Sequence, residues 1–277
     1  MPKDTADSVC YTVTIVEIFT STYVIHALIG GVLFCLCAGT LGYFVVLRKM
    51  TFAAHALADI GIPGATGAIL LGLDPLPGLI VFCLGGGLFI ANTSKKGSER
   101  EIVTGTTLAF ALGLGLFLAG LSSKATKNLQ SLLFGSITTI DEPTLYVFGG
   151  FTFLVVVVMF FLYKKLLFAS INPDVAQTKG INVKLLNLIF VLLLAITTVM
   201  SVQVLGALLP FALLITPTAT IINFTANPKI IIFGSIALGI VAVIVSLFVS
   251  ILLDIPTSFA ICTFVFIVWG LSKLIKN

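Results

Sequence analysis

The chain alternates long apolar runs with short polar clusters, and the runs lack the two-residue alternation of a half-buried strand. Many runs are ~20 residues or longer, the length a helix needs to cross the hydrocarbon core of a bilayer. Nine candidate spans follow, at about 23–47, 50–71, 76–92, 102–121, 143–163, 184–201, 204–223, 229–252 and 256–274. A membrane β-barrel would instead show short segments of alternating hydrophobicity. The pattern predicts an all-α, polytopic membrane helix bundle of about eight or nine transmembrane helices, several broken by Gly or Pro. A stretch at 129–140 is too short to cross and reads as a re-entrant piece. Residues 1–22 lack a signal peptide's order of basic region, apolar core and cleavage site. They read as an extracellular or interfacial segment ahead of a transmembrane domain at 23–274.

Composition strengthens the membrane reading. Of 277 residues, 58% are hydrophobic and 9% charged, against about 25% charged in soluble domains. The formal charge of +4 does not point to nucleic acid, because the basic residues mark span ends rather than a patch. With the N-terminus outside, twelve basic residues fall in the cytoplasm, among them Arg48, Lys49, Lys95, Lys96, Arg100 and Lys184. Only Lys3, Lys124 and Lys127 fall outside. Lys and Arg are retained on the cytoplasmic side, so this orientation is the expected one, with the C-terminus inside. Five cysteines sit mostly in apolar runs without a CxxC motif. Cys35 and Cys37 point about 200° apart on a helix, and the cysteines read as small apolar residues rather than a disulfide or thiolate site.

One cytoplasmic connection is substantial, at 166–183. Asn172-Pro173-Asp174 is a helix-start signal, with Pro near the first helical position, and Gly180 marks a stop. A short helix from Pro173 to Lys179 is expected, lying along the membrane or forming an ordinary surface turn.

Charge inside the bilayer is costly, and an ionisable residue there is a functional candidate. Of the eleven acidic residues only Asp59 lies well inside a span. Asp74, Asp141, Glu142 and Asp254 sit at outer ends. His55 precedes Asp59 by four residues, one turn away on the same face. Ala56, Ala58 and Gly61 allow close helix approach. Pro63 removes the N–H that would reach back to the Asp59 carbonyl. An imidazole and a carboxylate together fit Zn²⁺, Mn²⁺ or Fe²⁺, although two such groups also satisfy each other as a buried pair. His26, the other histidine, belongs to the outer turns of the first span. The chain has no GxxxxGK[ST] phosphate loop and no catalytic constellation, so it reads as a transporter and not an enzyme.

Several pieces in order carry a resemblance: VVLRKMTF with AHALADIGIPG, SLLFGS at 131–136, NPDVAQTKGI at 172–181, VLGALLPFALLITPTAT at 204–220, and DIPTSF at 254–259. Over about 23–271 the chain resembles the permease subunits of ABC-type zinc/manganese/iron uptake transporters. That family usually carries Gly-Asp-x-x-x-His-x-x-x-Pro-Gly in the second span, with Asp and His as metal ligands. Here His55 stands at the Asp position and Asp59 at the His position.

The resemblance implies an ATP-driven importer, installed as a multi-pass protein of the bacterial plasma membrane. Its partners would be a separate ABC ATPase, an extracellular metal-binding protein and a second permease copy, identical or sister, with membrane lipid around them and no nucleic acid. It also implies that the cytoplasmic loop couples to the ATPase, through Ala169, Ser170, Asn172, Pro173, Asp174, Ala176 and Gly180. No tightly bound cofactor is expected; a Zn, Mn or Fe ion would be cargo. An ATP-independent secondary cation carrier, and an ABC permease for a metal chelate or other small substrate, are the alternatives.

Overall fold

Backbone inside hydrocarbon has no water to bond to, so each span must satisfy its own N–H and C=O groups, which a helix does. The computed structural model describes residues 22–93, 97–121, 142–205, 209–253 and 255–276. Among them eleven helices run in order: α1 (Thr22–Leu47), α2 (Thr51–Ile60), α3 (Ile62–Leu70), α4 (Pro75–Thr93), α5 (Gly97–Gly120) and α6 (Glu142–Ile171). The series continues with α7 (Pro173–Thr178), α8 (Val183–Leu205), α9 (Leu209–Ile221), α10 (Pro228–Leu253) and α11 (Thr257–Lys276).

Among the described residues, eight helical stretches are long and apolar enough to cross a membrane, with α2 and α3 counted together as Thr51–Leu70. The candidate span at 204–223 takes another form. Its apolar helix is α9, with 13 residues, about 20 Å long against a hydrocarbon core of roughly 30 Å. Pro217 lies inside it and has no N–H to give the preceding turn. The expected re-entrant piece at 129–140, the segment 1–21, Asp141 and Asp254 lie outside the described residues.

The fifth span also differs from expectation. α6 runs for 30 residues to Ile171, so 166–171 are its last turns and not the start of a loop. Lys164 and Lys165 are good helix formers, and the run meets no obstacle until Asn172, where the following Pro disfavours helical geometry. At about 45 Å the helix is longer than the hydrocarbon core is thick.

Packing is uneven. The α2–α3 span has 72% of its apolar window buried, α8 67% and α1 50%, against 22–28% for the other five spans. These three therefore form the inside of the bundle. Around them, α1 packs on α10, α6 and α9, while α2 meets α5, α8 and α9. Four described cysteines are free; Cys35, Cys37 and Cys83 are fully buried. Apolar surface of α5, α6 and α10 faces outward, as at Phe110, Phe160 and Phe233.

Helix association in lipid depends on close contact between small residues. α3 and α4 cross where a Cβ added at Gly64 would run into the Gly78 carbonyl, and one at Gly78 into the Gly64 carbonyl. A Cβ at Gly85 on the same helix α4 meets nothing within 4 Å. Gly64→Ala or Gly78→Ala is expected to destabilise the protein by about 1–3 kcal/mol through overpacking, and Gly85→Ala to leave it unchanged. Thermal unfolding of the detergent-purified variants measures this, and equal midpoints for all three would refute the crossing.

Candidate functional site

The paired residues sit in the most enclosed span. Ala53, Ala54, Ala56, Leu57 and Ala58 of α2 are all buried, and their small side chains let neighbouring helices approach. At Gly61 the helix is interrupted between α2 and α3. Pro63 has no N–H for the Asp59 carbonyl, and the Gly61 N–H takes that carbonyl instead. A Cβ at Gly61 would lie 2.6 Å from Cys83 Sγ and 2.8 Å from Leu79 Cδ2, so α4 closes over the interruption. The Cys83 thiol donates to the Leu57 carbonyl at 3.1 Å, pinning α4 to α2.

His55 and Asp59 do share a face. Nε2 of His55 lies 3.8 Å from Oδ2 of Asp59, with side chains 34% and 14% exposed. That separation is beyond hydrogen-bond range, so the pair is an open one rather than a closed mutual bond. The other imidazole nitrogen, Nδ1, is buried with no hydrogen-bond partner. Phe211 of α9 packs its ring against the imidazole, with centroids 5.0 Å apart, and holds it beside the helix. Two donors on one small divalent ion stand roughly 3.0–3.5 Å apart. The pair approaches this and needs only a small side-chain rotation. Among the described residues, no group of three or more His, Cys, Asp and Glu gathers at this pair or anywhere else. His26 lies in the first turns of α1, away from the pair. Of the acidic residues expected at outer ends, Asp74 is exposed between α3 and α4, and Glu142 lies in the first turn of α6, where a negative charge suits the helix dipole.

The loop residues form a well-stopped helix. α7 spans Pro173–Thr178, one residue shorter than expected. The Asn172 side chain accepts from the Val175 N–H, and Pro173 takes the first helical position. At the other end the Gly180 N–H reaches the Gln177 carbonyl at 3.0 Å and the Ile181 N–H reaches that of Ala176 at 3.1 Å. Gly180 has φ +76°, the left-handed conformation such a stop requires. Asn182 then caps α8 by accepting from the Leu185 N–H. Ala176 is fully buried, while Pro173 and Asp174 are exposed. Ala169 and Ser170 belong to the last turn of α6 rather than to the loop.

Beside α7 opens a cavity of about 900 Å³, lined by Arg48, Arg100, Ser170, Asp174, Lys184 and Asn187 among others. Arg48 went unnoticed in the sequence except as a topological charge. Its Nε donates to Ser170 Oγ at 2.7 Å and its Nη1 to Asn187 Oδ1 at 3.3 Å. The guanidinium lies over the Phe190 ring, 5.2 Å from the centroid. Burial, and then the charge of Arg100, bring its pKa down to about 10, which leaves it charged at neutral pH. Partners 122 and 139 residues away leave no local signal in a sequence. Phe211 was likewise one apolar residue among many.

A helical membrane bundle with a half-open imidazole–carboxylate pair in its most buried span, and a short capped helix between two spans, is the build of a multi-pass transporter subunit. The chain belongs to the ABC 3 transport family, whose profile matches residues 20–275. It is 29% identical to the manganese import system permease protein ScaB of Streptococcus gordonii, over 81% of each chain. It is also 29% identical to the high-affinity zinc uptake system membrane protein ZnuB of Haemophilus influenzae, over 89% of this chain and 96% of that one. Among solved structures, PsaBC from Streptococcus pneumoniae in complex with Fab aligns with a TM-score of 0.82 at 27% identity, covering 93% of both chains.

The caps of α7 make a local prediction. Asn172→Ala is expected to cost about 1 kcal/mol of α7 stability, and Gly180→Val about 1–2 kcal/mol because a β-branched residue is forced into the left-handed region. Amide exchange across 173–178 should quicken in both variants while exchange in α8 stays unchanged. Unaltered protection of α7 would rule the caps out.

Proposed function

We propose that this chain is the membrane permease of an ATP-driven ABC importer for a divalent transition-metal ion, and that His55 and Asp59 hold the ion in transit. The observation that carries this reading is the open pair on α2. An ionisable pair at membrane depth is costly, and here it is neither closed on itself nor backed by a hydrogen bond at Nδ1. An imidazole nitrogen and a carboxylate oxygen are donors that manganese, zinc and iron(II) all accept. Relatives named for manganese import and for zinc uptake support that class of cargo without choosing within it.

In this reading an extracellular binding protein delivers the ion, and a second permease, identical or sister, completes the ligand set that one chain lacks. A separate ATPase seats α7, closes on ATP and moves it. In this reading the N-terminus lies outside and the C-terminus in the cytoplasm of a bacterial plasma membrane, the sense the basic residues favour, and α9 carries the chain through the ninth crossing that this orientation needs. No cofactor is resident.

Cells carrying His55→Ala with Asp59→Ala are expected to lose metal accumulation about tenfold or more, since even outer-shell changes at metal sites cost 10–100-fold. Accumulation of radiolabelled manganese, zinc and iron, at matched membrane levels, measures the loss. Uptake equal to wild type would remove the pair from the path. Exchanging the two residues, His55→Asp with Asp59→His, restores the usual family order and is expected to retain uptake while shifting the preference among the three metals. If uptake persists after the cognate ATPase is deleted, the chain is an ATP-independent carrier and the proposal fails.

A further inference from the structure

The Arg48 side chain bridges three parts of the fold. It leaves the three-residue linker between α1 and α2 and bonds to the last turn of α6 through Ser170 and to the first turns of α8 through Asn187. Those two helices bracket α7, and α7 packs on both of them. Lys179, at the end of α7, adds a second tie by placing its ammonium 5.1 Å from the Phe168 ring centroid of α6. One guanidinium thereby joins α6 to α8, and α7 packs on both.

Both ends of that bridge are stiff. The Ser170 hydroxyl spends its proton on the Leu166 carbonyl at 2.6 Å, so its lone pairs face Arg48. The linker is fixed by backbone bonds from the Arg48 N–H to Phe44, from Lys49 to Val46 and from Met50 to Val45. Lys49 occupies a left-handed conformation, φ 52°, and Met50 is buried at 1% exposure. A linker in that shape has little slack to absorb movement. The first residue of α2 follows Met50 directly, and His55 lies one turn beyond it, about 6 Å along the axis.

We propose that Arg48 is a positioning residue that couples α7 to the metal-bearing helix α2, so that displacement of the α6–α7–α8 corner moves His55 and Asp59. The inference rests on the functional reading above, in which α7 receives the motor's motion and the pair holds the ion. Arginine is needed because one planar fork must bond two acceptors while stacking on Phe190; a lysine ammonium supplies charge without that fixed geometry.

The test uses the assembled complex of permease, ATPase and binding protein in proteoliposomes, with manganese as the probe ion. ATP hydrolysis and ion uptake are measured in the same vesicles for wild type, Arg48→Lys, Arg48→Ala and Asn187→Ala. Hydrolysis is expected to stay within about twofold of wild type while ions delivered per ATP fall about tenfold, the loss seen when reacting groups are slightly misplaced being of this order or larger. Manganese binding by the solubilised permease, read by electron paramagnetic resonance, should be unchanged. A variant that lowers hydrolysis and uptake together, with their ratio intact, assigns Arg48 a purely structural role and overturns the proposal. If Arg48→Ala does not assemble, Asn187→Ala decides, because it leaves Arg48 in place and removes one of its acceptors. An ATP-driven wild type with all variants at the wild-type ratio overturns the coupling alone. A wild type that needs no ATPase overturns the functional reading, and the coupling with it.

Discussion

A carboxylate within an apolar span persists only where protein or water, and not lipid, surrounds it. Much of this fold follows from housing Asp59 that way. The helix that bears it must be the most enclosed in the bundle, and α2–α3 is. Enclosure by several helices at once requires small residues on more than one face, and α2 supplies Ala53, Ala54, Ala56 and Ala58. The interruption at Gly61 admits α4, and Gly64 with Gly78 brings α3 and α4 into backbone contact. A bulky-residue helix at the same place would pack fewer neighbours and leave the carboxylate facing lipid.

Much of this was legible in the sequence because bilayers impose length and burial as hard constraints. Hydropathy offered nine candidate spans, and eight of them are long apolar helices among the described residues. The short helix at Pro173 was legible for a chemical reason, since Asn-Pro starts a helix and Gly180 ends one whatever surrounds them. His55 and Asp59 shared a face because four residues is one turn in any α-helix. What hydropathy did not mark was where helices run past the membrane. Lys164 and Lys165 end the apolar run of α6 but not its helix, since polarity and helix propensity are separate properties. The seventh candidate, 204–223, is apolar throughout, and its apolar helix within the described residues is the shorter α9.

Arg48, Asn187 and Phe211 were not legible, and the reason is distance along the chain rather than weakness of the contacts. Arg48 makes two side-chain bonds and lies over a ring face, all with residues more than a hundred positions away. On sequence it is one of twelve charges that set orientation. Phe211 shows the same limit for an apolar residue: its ring holds the His55 imidazole from a helix that the sequence offered only as another span.

The exchanged order of the pair acquires meaning from this geometry. Four-residue spacing keeps both groups on one face whichever comes first, so exchanging them does not destroy a two-donor site. It changes which donor is nearer the Arg48 linker. In this chain the imidazole is the nearer, one turn from the stiff segment 48–50, and the carboxylate sits a further turn along, just before the Gly61 interruption. A neutral imidazole is the softer donor, and the ring of Phe211 restricts how it turns; the carboxylate stands where α2 ends, its backbone carbonyl taken by the Gly61 N–H. Motion entering through Arg48 would therefore move the nitrogen donor first and leave the oxygen donor to follow. In the usual family order the harder oxygen ligand would move first. Since ligand softness and geometry, more than affinity rank, decide which first-row ion a site retains, the order in which the donors let go is a physical route by which this exchange can alter selectivity without altering the ligand set.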